Sequence, residues 1–185
     1  ITDDVNLCQS SELTIAADDN YQGQGMWSVL NGSGTIADPL SPTTMITDLS
    51  VGATSIVQWT VVNGVCPALT SFLEIHVDPL PDAAIAGMDQ QFCNESSLAL
   101  NASPVINGQG SWSIINGVGI IENANDPASQ VNGLVPGSAV SLVWKVNSGV
   151  CTESKDTLKV INDASPTLSI DGDDQYHCHA QFINL

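Results

Sequence analysis

The chain has no arginine, and Lys145, Lys155 and Lys159 are its only cations against 20 Asp and Glu, giving a formal net charge of −17. Phosphate backbones and anionic lipid headgroups are gripped by cationic surface, so nucleic acid and an anionic membrane surface are excluded as partners, and the apolar runs give no ground for direct membrane insertion. Apolar runs are short as well. None approaches the roughly 20 residues of a membrane span, and nothing reads as a signal peptide, so Ile1 is expected to be an interior or processed start. Histidine occurs only at positions 76, 177 and 179. A nucleophile needs a base beside it and a group to orient that base, and no set of residues here has that form. The chain is therefore expected not to be an enzyme. A helical period is also missing throughout.

What the chain has in place of these is internal repetition. Shifted by 85 residues it matches itself without a gap: Cys8, Trp27, Trp59 and Cys66 fall on Cys93, Trp112, Trp144 and Cys151. Most identities are Cys, Trp, Gly and spaced apolar residues, the types that determine a fold rather than a reaction centre. Asp174 and Cys178 open a third copy. The expected division is repeat 1 over 1–80, repeat 2 over 81–166, and the first strand or strands of a truncated third repeat over 167–185. Asp78-Pro79-Leu80-Pro81-Asp82 and Asp163-Ala164-Ser165-Pro166 are short proline-containing junctions, which read as stiff spacers.

Each repeat reads as about seven short strands. Leu13-Thr14-Ile15 alternates after the first cysteine. Gly25-Met26-Trp27-Ser28-Val29 puts Trp27 and Val29 on one face. Asn31-Gly32 and Asn116-Gly117 are type I′ hairpin signals that predict a turn into a brief strand at Thr35-Ile36 or Ile120-Ile121. Ile56 to Val61 and Ser141 to Val146 are the strongest strands, and Asn63-Gly64 or Ser148-Gly149 predicts a hairpin into a return strand starting at the cysteine. The fold class expected is all-β, a tandem of immunoglobulin-like β-sandwiches. Modules of this size bury little surface and commonly carry a covalent staple. One cysteine pair per repeat at constant separation predicts an intradomain disulfide in each, Cys8 with Cys66 and Cys93 with Cys151, leaving Cys178 unpaired.

Ala86-Gly87-Met88-Asp89-Gln90-Gln91-Phe92-Cys93, Gly110-Ser111-Trp112-Ser113, Gly117-Val118-Gly119 and Trp59-Thr60-Val61-Val62-Asn63-Gly64-Val65-Cys66 resemble the PKD/Ig-like repeat of very large Bacteroidetes surface proteins. That resemblance implies export by type IX secretion to the outer cell surface and a structural or adhesive role, as in SprB-like gliding adhesins. The implied partners are neighbouring repeats of the same protein and a surface polysaccharide or other cell-surface ligand. Two rival readings are accessory spacer modules of a secreted polysaccharide-degrading enzyme, and a filament subunit in which residues 174–185 complete a neighbour's sheet in a homopolymer.

No cofactor is expected apart from calcium. Asp78, Asp82, Asp89, Asp163, Asp171, Asp173 and Asp174 cluster near the junctions, and calcium takes several carboxylate and carbonyl oxygens from such loops. The opposing reading is a solvated acidic surface that keeps a secreted protein soluble. His177-Cys178-His179 places its two histidines on one strand face and the cysteine on the other, a poor start for a shared metal site.

Overall fold

A computed structural model describes residues 4–19 and 22–168. Those residues form fourteen β-strands and no helix, seven strands per repeat. In the first repeat they are β1 (Val5–Cys8), β2 (Leu13–Ala16), β3 (Gln24–Asn31), β4 (Thr35–Ile36), β5 (Thr43–Thr47), β6 (Thr54–Val62) and β7 (Leu69–Asp78). In the second they are β8 (Gln90–Cys93), β9 (Ser97–Ala99), β10 (Gln109–Asn116), β11 (Ile120–Ile121), β12 (Gln130–Asn132), β13 (Ser138–Asn147) and β14 (Ser154–Asp163).

Each repeat folds into two layers. One sheet runs β1-β7-β6-β3 and the other β2-β5-β4, and the second repeat copies both as β8-β14-β13-β10 and β9-β12-β11. Period-2 alternation explains the inward faces: along β6, Ser55, Val57 and Trp59 are buried while their neighbours are less so. The apolar faces meet as two separate cores. Ile15, Trp27, Ile46, Val57, Leu73 and Ile75 centre the first, and Leu100, Trp112, Val131, Leu142, Trp144 and Leu158 the second. Ala84 and Ala86 already pack with the second core, so the chain enters the second sandwich within a few residues of leaving the first.

The tryptophans are cross-strand partners, Trp27 opposite Trp59 and Trp112 opposite Trp144. Their rings sit tilted, with centroids 4.9 Å apart in the first pair and 5.2 Å in the second, a geometry that adds to simple area burial. Gly25 and Gly110 make room for this. A Cβ at either position would land inside the indole of Trp59 or Trp144 respectively, which explains a glycine two residues before the first tryptophan in both copies. The indole N–H of Trp27 donates to the Pro42 carbonyl at 3.3 Å, and that of Trp112 to Pro127 at 3.4 Å, so the proline loop closes the sandwich edge.

Three local expectations change. Asn31-Gly32 does not close a hairpin, because β4 pairs with β5 in the opposite sheet; the chain crosses between layers there so that Ile36 joins the core from the other side. The same holds at Asn116-Gly117, where β11 pairs with β12. The β6–β7 and β13–β14 hairpins form, but the return strands begin at Leu69 and Ser154, three residues beyond each cysteine.

The third change concerns the cysteines. Cys8 is bonded to Cys151, across the two modules, and Cys66 and Cys93 are free and exposed. The expected intradomain pairs Cys8–Cys66 and Cys93–Cys151 are absent because β1 runs parallel to β7. In that register Cys8 lies beside Asp78 at the far end of β7, whereas Cys66 precedes its start at Leu69. Ten strand residues separate the two ends, a span of about 30 Å at ~3.3 Å per residue, far beyond the ~7 Å Cα limit of a disulfide. Residues 169–185 of the third repeat, Cys178 among them, lie outside the described residues.

Gly110→Ala should destabilise the second module by about 3 kcal/mol through overpacking against Trp144. A matched fall in urea midpoint without a change in slope would show this, and an unchanged midpoint would contradict the tight glycine–indole contact.

Candidate functional site: the joint between modules

The joint is assembled from two strand ends and a turn. β1 delivers Cys8, after which Gln9 adopts a left-handed conformation (φ 53°) and its N–H donates to the Asp78 carbonyl at 2.9 Å. The Gln9 side-chain oxygen accepts from Leu80 N–H at 3.1 Å, which ties the outgoing linker to the end of the first strand. β7 delivers Asp78. The β13–β14 turn delivers Gly149, Val150 and Cys151, closed by Cys151 N–H donating to the Ser148 carbonyl at 2.9 Å.

Asp78 is the polar centre of this contact and is only 8% exposed. Its carboxylate accepts the Val150 N–H at 2.9 Å and meets His76 Nε2 at 3.2 Å. His76 Nδ1 lies 2.7 Å from the Thr54 hydroxyl. With Nε2–H donating to Asp78, Nδ1 is left to accept from Thr54, so the row fixes the carboxylate toward the second module. Gly149 has φ +46°, and a Cβ there would collide with the Asp78 carboxylate. The Cys8–Cys151 bond, with Cα atoms 5.0 Å apart, closes a loop with a sequence separation of 143. Chain entropy alone assigns such a loop about 5 kcal/mol.

The acidic residues expected at the junctions do not converge. Asp78 serves the joint, Asp82 accepts from the N–H groups of Ile106 at 2.6 Å and Asn107 at 3.0 Å, Asp89 accepts from Lys159 N–H at 2.8 Å, and Asp163 accepts from the Gln91 side-chain amide at 2.6 Å. Among the described residues no three His, Cys, Asp or Glu side chains gather to hold a metal. Asp171, Asp173 and Asp174, like His177-Cys178-His179, lie outside the described residues. The backbone donors at Asn107 and Ile106 hold the Asp82 carboxyl below the usual aspartate range. Asp89 repeats a device of the first module, where Asp4 accepts from Glu74 N–H at 3.0 Å. These carboxylates act as anchors for strand ends and loops.

Sequence reasoning found all four cysteines and missed who pairs with whom. Residue spacing left strand direction unassigned, and the parallel pairing of the first strand with the last sets the two cysteines of one repeat at opposite ends. The same reasoning placed Asp78 at the junction but as a calcium ligand, and it missed Gly149, although Gly64-Val65-Cys66 and Gly149-Val150-Cys151 are identical.

Comparison with known proteins bears on the fold alone. No family model matches the chain, and no curated protein matches it. Among solved structures, murine CEACAM1b superposes with a TM-score of 0.61 at 9% identity, covering 85% of this chain and 95% of that one. A PKD domain from the KIAA 1837 protein matches 47% of this chain and 91% of its own at 23% identity and a TM-score of 0.40. Fibronectin(III)-like modules of Clostridium thermocellum CbhA match 96% of each chain at 13% identity and a TM-score of 0.45. The chain is thus an all-β tandem of immunoglobulin-like modules, with no helix among the described residues long and apolar enough to cross a membrane.

Both Gly149 and Gly64 have positive φ, so alanine strains either turn, but only Gly149→Ala meets a carboxylate. Thermal unfolding should place Gly149→Ala clearly below Gly64→Ala, and equal losses would remove Asp78 from the joint. Asp82 binds its proton less readily folded than unfolded, so its contribution is complete above the ordinary value of 3.8 and lost as pH falls through the lowered folded value. Carboxyl-detected NMR should show its midpoint below that of a solvated aspartate.

Proposed function

We propose that the chain is a structural, adhesive-stalk segment of a bacterial cell-surface repeat protein, with gliding-type adhesins as the nearest functional analogy and the extracellular face of the outer membrane as its place. Supporting this are the internal repeat, the acidic surface poor in cations, the non-catalytic immunoglobulin-like fold and above all the disulfide across the joint. Disulfides persist where the surroundings are oxidising.

The bond gives the segment a mechanical property. Tension applied to the chain ends enters along β1, leaves it at Cys8, crosses to Cys151 and runs out along β14. Residues 9–150 are bypassed. Both tryptophan cores lie mostly in the bypassed stretch and are spared. Without the bond, the same tension shears β1 from β7 and β8 from β14, then draws out each module.

Single-molecule pulling from the two ends tests this. The oxidised chain should lack roughly 500 Å of extension that appears after reduction, since 143 residues at ~3.5 Å each become free to stretch. Cys151→Ser should behave as the reduced chain. Equal contour lengths with and without reductant would defeat the mechanical reading.

A further inference from the structure

The joint between the two modules uses only half of the joint-forming residues the chain carries. The first module has its own copy of the turn: Asn63-Gly64-Val65-Cys66 closes with Cys66 N–H donating to the Asn63 carbonyl at 3.1 Å, and Gly64 has φ +58°. It matches the turn at Ser148-Gly149-Val150-Cys151 in shape and differs in what faces it. A Cβ on Gly64 would meet nothing within 4 Å, where one on Gly149 meets Asp78. Val65 is fully exposed against 55% for Val150, and Cys66 is exposed while Cys151 is buried.

The second module likewise has its own copy of the strand end. Cys93 closes β8 beside Asp163, as Cys8 closes β1 beside Asp78. Asn94 takes the left-handed conformation of Gln9 (φ 60°) and donates to the Asp163 carbonyl at 2.8 Å. Cys93 is exposed, with the Ser165 hydroxyl 4.0 Å from its sulfur.

We propose that these two unfilled halves are disulfide sites for adjoining modules of the same repeat: Cys93 bonds the turn cysteine of the module that follows, and Cys66 bonds the strand-end cysteine of the one before. The partner is a module of this type, because only such a module offers a Gly-Val-Cys turn to the strand end, or a Cys beside an Asp to the turn. Each bond spans the separation seen between Cys8 and Cys151, 143 residues.

The oxidant is the disulfide of a thiol–disulfide oxidoreductase or of glutathione. The Cys93 thiolate attacks it, forming a mixed disulfide and expelling one thiolate. The turn thiolate of the next module then attacks the Cys93 sulfur, the new S–S bond forms and the second thiolate leaves. Two electrons pass to the oxidant, and the protons of the two protein thiols end on its two sulfurs.

The result is a relay that skips the interior of every module. A first strand is bonded to the last strand of the next module, whose linker leads to the first strand after that. Two such tracks run side by side, offset by one module.

The test is a chain in which residues 1–170 are followed directly by a second 1–170, which preserves the 85-residue period and, with two self-contained cores per copy, gives four modules. Oxidised in glutathione buffer, alkylated with iodoacetamide and weighed without reduction, it should expose two of its eight thiols. Replacing Cys93→Ser in the first copy only should free the Cys66 of the second, raising the reactive peptides by one while both Cys8–Cys151 links persist in the peptide map. Four reactive thiols in the parent chain, a bond between Cys66 and Cys93 of one copy, or loss of the Cys8–Cys151 links would each overturn the proposal.

Discussion

The parallel alignment of the first strand of each module with its last is the constraint from which the rest follows. β1 and β7 point the same way, so a cysteine ending β1 and a cysteine preceding β7 sit at opposite poles of one sandwich. Neither reaches the other, and each looks outward along the array. A covalent bond between neighbours is then the natural use of a cysteine pair whose sequence spacing suggests an internal staple. Asp78 and Gly149 follow from the same geometry, one as the acceptor at the end of the last strand and the other as the only residue type thin enough to approach it.

Within each module, stability falls to the core. Among the described residues no disulfide closes either sandwich, and a tilted tryptophan pair on adjacent strands of one sheet, with its facing glycine, lies in each core. Asp78 is the one buried carboxylate among the described residues, and it serves the joint through His76. The second module has Ile161 where the first has His76, so the two modules differ in how the acceptor is held.

Much of this was legible in the amino-acid order. Alternating Val57, Trp59 and Val61 placed a central strand correctly, and seven strands per repeat followed from turn residues at regular spacing. Asn31-Gly32 misled because a dipeptide that favours a tight turn says nothing about which sheet the next strand joins; Ile36 settles that by where its side chain is buried. The cysteine pairing failed for a related reason. Spacing along a chain reports recurrence, and only strand direction converts recurrence into proximity.

A joint that borrows one sulfur from each neighbour also tolerates changes of length. If neighbouring modules are bonded as proposed, excising or duplicating a whole 85-residue unit brings together a strand-end cysteine and a Gly-Val-Cys turn like those it replaces. The length of such an array would then change in steps of one module without leaving an unpaired cysteine between neighbours.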